Sequence, residues 1–185
     1  MPRVCGAAAE VSAASVGSGA NGNRADAGAR AIACVRIATG IIFFLFAEYK
    51  IVGSEFTPVG FEHWVRGWVE QGQVVGFYKP VLVNIALGHP VLCARLVAWG
   101  ELGIAISLIL GLLVRPAAIG GVILMINFIL STWFAPGHGA PIWQYFGAKL
   151  DHIPLLFLFV IFYATRAGDV WGLDGRLRQM MGRAG

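Results

Sequence analysis

The residues best equipped for chemistry are few and sit in apolar company. Glu101 is the single carboxylate in the two long apolar runs between Pro90 and Phe134, and Asn127 is the single amide of the second run. Arg36 lies inside another apolar run about two turns from its start. An ionised side chain at the centre of a membrane span costs about 2.5–3.5 kcal/mol on insertion scales, so each must find a cationic or anionic partner, a polar cavity, or a neutral protonation state. At about 1.5 Å per residue, Glu101 should lie about 14 Å below the outer boundary and Arg36 about 9 Å above the inner one. Those depths put the two side chains within combined reach. The expectation is a buried Glu101–Arg36 pair with Asn127 as a further hydrogen-bond partner. Such a pair could be a clamp that fixes helix register, or a proton-relay and headgroup-binding site. A protonated Glu101 facing lipid is the third reading.

A second set of candidates lies between the spans. His63, His89, His138 and His152, the last preceded by Asp151, accompany Lys50, Arg66 and Lys79. Together they could exchange protons or contact an oxyanion, although scattered loop histidines are more simply solvated. No metal-ligand spacing is present, and the cysteines Cys5, Cys34 and Cys93 form no CxxC pair. Cys34 and Cys93 should lie near opposite membrane faces, too far apart for a bridge whose α-carbons must approach within about 7 Å. Haem attachment motifs and glycine-rich flavin or dinucleotide fingerprints are likewise missing from the sequence.

The elements that must position these residues are helices in lipid. Of 185 residues, 57% are hydrophobic and only 13% charged, and the mean hydropathy is +0.71. Soluble domains carry about 25% charged residues. A water-soluble fold of this composition would expose large apolar patches. The fold class expected is all-α: a four-helix transmembrane bundle with an interfacial or re-entrant helical segment between the first and second spans, and a disordered N-terminal tail. Spans of about 20 apolar residues are placed at about 29–48, 90–114, 116–134 and 150–166. The domain limits are 1–28 for the tail, 29–175 for the membrane domain and 176–185 for a basic cytoplasmic tail.

Local patterns support this division. Residues 1–28 are rich in Ala, Gly and Ser and have no apolar period, so they cannot offset their ordering entropy. Arg36, Gly40, Phe43 and Ala47 share one helical face, which points to a side turned toward the bundle. Phe61, Trp64, Val65, Trp68 and Val69 recur at helical spacing as an interfacial amphipathic helix. Val81 to Leu87 is apolar but too short to span. In the second span, Ala94, Ala98, Glu101 and Ala105 form one small-residue stripe, and Gly103, Ser107 and Gly111 another on the opposite side. Small residues let helices approach closely, so this helix should sit in the middle of the bundle. Leu113-Val114-Arg115-Pro116 makes a hairpin, and Ala135 to Pro141 is a breaker cluster.

Charge sets the orientation. With both termini cytoplasmic, the inner side receives Arg3, Arg24, Arg30, Arg115, Arg166, Arg176, Arg178 and Arg183, whereas Lys50, Arg66, Lys79 and Lys149 lie outside. That bias fits the positive-inside rule and places every histidine on the outer side. The net charge of +4 is thus read as topology. No basic patch interleaved with aromatics points to nucleic acid.

Several short stretches in order carry a family resemblance. They are Arg36-Ile37-Ala38-Thr39-Gly40, the Glu48-Tyr49-Lys50 end of the first span, Gly100-Glu101-Leu102-Gly103, Gly111 through Ala118 with Arg115-Pro116 inside it, and Gly172-Leu173-Asp174. Together they resemble the DoxX/DoxD-like membrane family, which includes the membrane subunit of thiosulfate:quinone oxidoreductase. The similarity runs from about residue 30 to 178, and the long first outer loop looks more like the DoxD branch. Where such relatives have a small-residue turn before Ser-Leu-Asp, this chain has Gly168-Asp169-Val170-Trp171-Gly172-Leu173-Asp174. The resemblance implies a multi-pass protein of the bacterial cytoplasmic membrane that passes electrons from thiosulfate or a related sulfur compound to quinone. Its implied partners are membrane lipids, quinone, and a redox subunit or a second copy of the chain. Arg36, Lys50, Glu101, Arg115 and Asp174 are the positions at which the family pattern is matched. The alternative is a non-catalytic membrane scaffold or small-solute carrier.

Overall fold

A computed structural model describes residues 6–53, 56–134 and 152–182, with the backbone alone given for 6–23. The described residues are all helix and connection. α1 runs Gly6–Val52, α2 Pro58–Glu70, α3 Lys79–Val81, α4 Pro90–Leu110, α5 Val114–Ser131, α6 His152–Ala164 and α7 Leu173–Met181. A five-residue π-helical turn, Leu82–Ala86, continues α3. Most of the stretch expected to be a disordered tail falls on residues 1–23, whose side chains lie outside the described set.

Three helices are long and apolar enough to cross a membrane: Arg24–Val52 within α1, and all of α4 and α5. α6 is as apolar but is described for only 13 residues. The breaker cluster, the aromatics Trp143, Tyr145 and Phe146, and Lys149 lie outside the described residues. The second span stops four residues short of the expected Val114, because Gly111 takes the left-handed conformation (φ 64°) and ends α4. The basic tail is helical as far as Met181.

α1 and α4 pack antiparallel along the face predicted for α1: Ala33, Arg36, Gly40, Phe43 and Ala47 are all buried. A Cβ on Gly40 would approach Ile109 Cγ1 to 2.9 Å, so glycine permits this close crossing. The opposing stripe Ala94, Ala98, Glu101 and Ala105 is also buried. The second stripe departs from expectation. Gly103 is exposed, and nothing lies within 4 Å of a Cβ built on Gly100 or Gly103. That side of α4 borders an open apolar groove against α5. α5 instead packs tightly on α6, where Gly121 meets the ring of Phe159.

Two apolar clusters divide the described residues. One joins Phe43, Ile104, Leu108, Val114, Met125, Phe159 and Phe162. The other joins Phe61 and Val65 of α2 with Val74, Leu82, Ala86 and Ala94. α2 forms there because Thr57 caps it, its hydroxyl accepting from the Gly60 N–H at 3.1 Å, with Pro58 in the first turn. Backbone hydrogen bonds from Val75 N–H to Leu130 (3.1 Å) and from Phe134 N–H to Gln73 (2.9 Å) tie the connection after α2 to the end of α5. The segment between the first two long helices is therefore a folded cap. The first three turns of α4 rise into this cap, beyond the end of α1.

Candidate functional site

The cap explains where the buried acid goes. Antiparallel register sets Gly40 beside Leu108 and Ile109, and Gly111 beside Arg36. Glu101 falls roughly ten residues, about 15 Å, further along α4. It is level with Lys50 near the end of α1. The Lys50 ammonium forms a short salt bridge to Glu101 Oε1, and Glu101 is 2% exposed. The expected Glu101–Arg36 pair does not form. Depth counted from Pro90 takes the start of α4 as the membrane boundary, whereas its first turns are wrapped by α2 and the π-helical segment. Asn127 is not a partner of Glu101 either. It faces away from the chamber, with its side chain bonded to Ser131 Oγ (3.4 Å) and Tyr78. Burial pushes the Tyr78 phenol up, and the Asn127 bond opposes that shift.

Glu101 Oε2 is buried and has no hydrogen-bond partner among the described residues. The Glu101 residue is part of the lining of a chamber of about 570 Å³. Phe43, Phe46 and Tyr49 of α1 form one wall, and Met125, Phe128 and Thr132 of α5 another. Phe56 and the α2 residues Phe61, Trp64 and Trp68 form the roof. The Lys50 ammonium lies 5.4 Å from the Phe56 ring and 5.3 Å from the Phe128 ring, so its charge is held between a carboxylate and two π-faces. An apolar, aromatic-walled space with one convergent ion pair has the form of a small-molecule site.

Of the outer basic residues, Lys50 and His152 line the chamber, and the His152 ring packs on Phe128 at 5.4 Å. His63, Arg66 and His89 are not in its lining. His63 is exposed on α2, and Arg66 is held by Glu62 at 2.5 Å on the outer surface of that helix. That carboxylate raises the Arg66 guanidinium above its ordinary range. His89 precedes α4 beside Arg95, and His138 lies outside the described residues. The aromatic half of the site was not singled out from the sequence. Its signal was the aromatic face of the amphipathic helix, which reads equally well as a lipid anchor.

Arg36 does different work farther back along α1, 14 residues before Lys50. It is fully buried, and its guanidinium donates to the carbonyls of Ala167 (2.6 Å), Val170 (3.3 Å) and Trp171 (3.1 Å). The carbonyls it binds belong to the turn after α6, where Arg166 and Trp171 adopt positive φ. Asp174 completes the knot. Its carboxylate accepts from the N–H groups of Leu113 and Val114, and its own N–H donates to Gly111 O at 2.9 Å. A Cβ on Gly111 would run into Gly172 and the Arg36 guanidinium. Arg115, next in the hairpin, stacks on Tyr163 at 4.3 Å. The stretches that carried the resemblance thus serve two ends of one molecule: Lys50 and Glu101 meet at the chamber, while Arg36, Gly111, Gly172 and Asp174 lock the opposite rim.

These features define a multi-pass α-helical membrane protein with a buried ion pair beneath an aromatic cap. The chain belongs to the DoxX family, whose model matches residues 31–134. That match takes in α2 to α5, the chamber's ion pair and Arg36, and it ends before α6 and Asp174. No curated protein and no solved structure matches the chain.

Proposed function

We propose that this DoxX-family protein binds a quinone-type aromatic molecule in the chamber and serves a membrane redox system that passes electrons from thiosulfate or a related sulfur compound to quinone. The observation that carries this reading is the buried Lys50–Glu101 ion pair, both of whose residues line an aromatic-walled space. Its volume falls within the roughly 300–1,000 Å³ usual for small-molecule sites. Aromatic walls favour a flat ring, and the ion pair offers a donor and an acceptor to the ring's oxygens. Electrons would come through the bound ring itself or from a partner subunit.

In this reading α6 completes a fourth span. Both termini face the cytoplasm of a bacterial inner membrane, and the cap and chamber face outward. The charge bias supports that orientation: Arg115 and Arg166 lie at the locked rim, and Lys50 and Lys79 at the capped end. The scaffold alternative draws on the locked rim, where the matched positions hold helices together.

The test is thiosulfate-dependent reduction of a quinone analogue by purified protein in lipid nanodiscs, with and without candidate redox partners. It is paired with quenching of Trp64 and Trp68 fluorescence by the analogue. Saturable quenching and turnover support the reading. Absence of both leaves the scaffold.

A further inference from the structure

We infer that α7 is a membrane-surface helix: its apolar side inserts into a bilayer whose headgroups are anionic, beside the rim locked by Arg36 and Asp174. The inference is independent of the chamber and of what binds there.

At the helical repeat, Leu173, Leu177, Met180 and Met181 fall within an arc of about 100° on α7. All four are exposed, Met181 by 70%. The helix meets the rest of the protein through its other side. Gly175, nearly opposite that arc, is buried, and a Cβ there would come within 2.2 Å of the Asp169 carbonyl oxygen. The apolar stripe is thus turned away from the protein, the reverse of a helix that folds onto a core. The position of α7 indicates what covers the stripe. Its base is bonded to the hairpin between two membrane-crossing helices: Asp174 accepts from the Leu113 and Val114 N–H groups, and Arg36 donates to the Trp171 carbonyl. α7 therefore starts at the level where α4 and α5 turn, with exposed Trp171 just before it. Arg176 and Arg178 flank the stripe on its two sides, both exposed, and Arg115 and Arg166 are exposed in the adjoining hairpin and turn. Two nearby acids are engaged within the protein, Asp169 with Arg178 and Asp174 with backbone N–H groups. The surplus charge beside α7 is positive. Leucine and methionine between arginines, entered through a tryptophan, suit a helix lying in the interface, with its apolar side among acyl chains and its arginine stems reaching to phosphates. An anionic bilayer supplies both the apolar and the charged complement at this level. A protein groove would have to bring acids of its own.

The experiment places a nitroxide at Leu177→Cys on the stripe or at Gln179→Cys on the far side. The full-length chain, with Cys5, Cys34 and Cys93 replaced by serine, is held in nanodiscs of phosphatidylcholine alone or mixed with phosphatidylglycerol. Collisions with oxygen, which concentrates among acyl chains, are compared with collisions with a water-soluble nickel chelate. In mixed discs the Leu177 label should be open to oxygen and shielded from the chelate, and the Gln179 label the reverse. Arg176→Gln should lower the inserted-to-free ratio of the Leu177 label about fivefold, the contribution of one cation at an anionic surface. High salt should act in the same direction. The unaltered chain gives a second measurement: trypsin cleavage after Arg176, scored against a soluble peptide in the same discs, should be slower with phosphatidylglycerol than without. A Leu177 label open to the chelate in mixed discs overturns insertion. Shielding from both reagents overturns it in favour of a second copy or a partner protein on the stripe. Equal insertion or equal cleavage in the two lipids, or an unchanged ratio in Arg176→Gln, overturns the preference for an anionic surface.

Discussion

The Asp174 carboxylate accepts a hydrogen bond from the Val114 N–H at 3.0 Å, joining the start of α5 to the start of α7 across 60 residues. A second bond, from Leu113 N–H at 2.8 Å, makes Asp174 a cap supplied from a distant part of the chain. Helix N-termini leave N–H groups unsatisfied, and α5 has no side-chain cap from its own N-cap residue. Asp174→Ala should cost about 1–2 kcal/mol. Asp174→Asn, which keeps one acceptor oxygen, should cost less. Thermal unfolding in detergent should show Tm falling by about 2–4 °C per kcal/mol, with ring binding at the far end unchanged.

The Lys50–Glu101 pair predicts an asymmetric double-mutant cycle. Lys50→Met strands a carboxylate that is 2% exposed, whereas Glu101→Gln strands an ammonium whose side chain is 16% exposed. Removing one partner of a buried pair typically costs about 3–5 kcal/mol, and replacing both restores much of that. Unfolding measurements should rank Lys50→Met as the least stable, Glu101→Gln next, and the double variant above both.

A glycine at the α1–α4 crossing and one on the open side of α4 should respond differently to an added methyl group. Gly40→Ala drives a Cβ against Ile109 and Leu108 and should cost about 1–3 kcal/mol. Gly103→Ala enters open space and should stay within about 0.5 kcal/mol of wild type. Equal losses at both positions would mean that another helix fills the groove beside Gly103.

Tyr78 gives a pH prediction. Burial holds its phenol above the ordinary value near 10. Its stabilising contribution is complete below the unfolded pKa and is lost as pH rises through the folded one. Thermal stability should therefore fall more steeply above about pH 10 in wild type than in Tyr78→Phe.

Much of the architecture was legible because lipid imposes it. Apolar runs of spanning length, the Arg115-Pro116 hairpin and the α1 face from Arg36 to Ala47 follow from period and composition alone. The partner of Glu101 did not follow, because it depends on the offset between α1 and α4. That offset shows in tertiary approaches such as Gly40 to Ile109 and Gly111 to Arg36, which have no local signature. The roles of Arg36 and Asp174 were hidden for a related reason. Both bind backbone groups far away in sequence, and main-chain acceptors and donors look alike at every position. His63 and Arg66 do not reach the chamber because α2 presents them on the side opposite Phe61 and Val65.

The spacing of the ion pair bears on how the protein is made. Lys50 precedes Glu101 by 51 residues, and a ribosome adding about 5–20 residues per second leaves the lysine several seconds without its mate. During that interval it stands at the exit end of the first hydrophobic segment, where its stem can reach headgroup water. The acid arrives last, into a bilayer that already holds its counterion. Glu101 therefore need not enter oil ahead of its counterion.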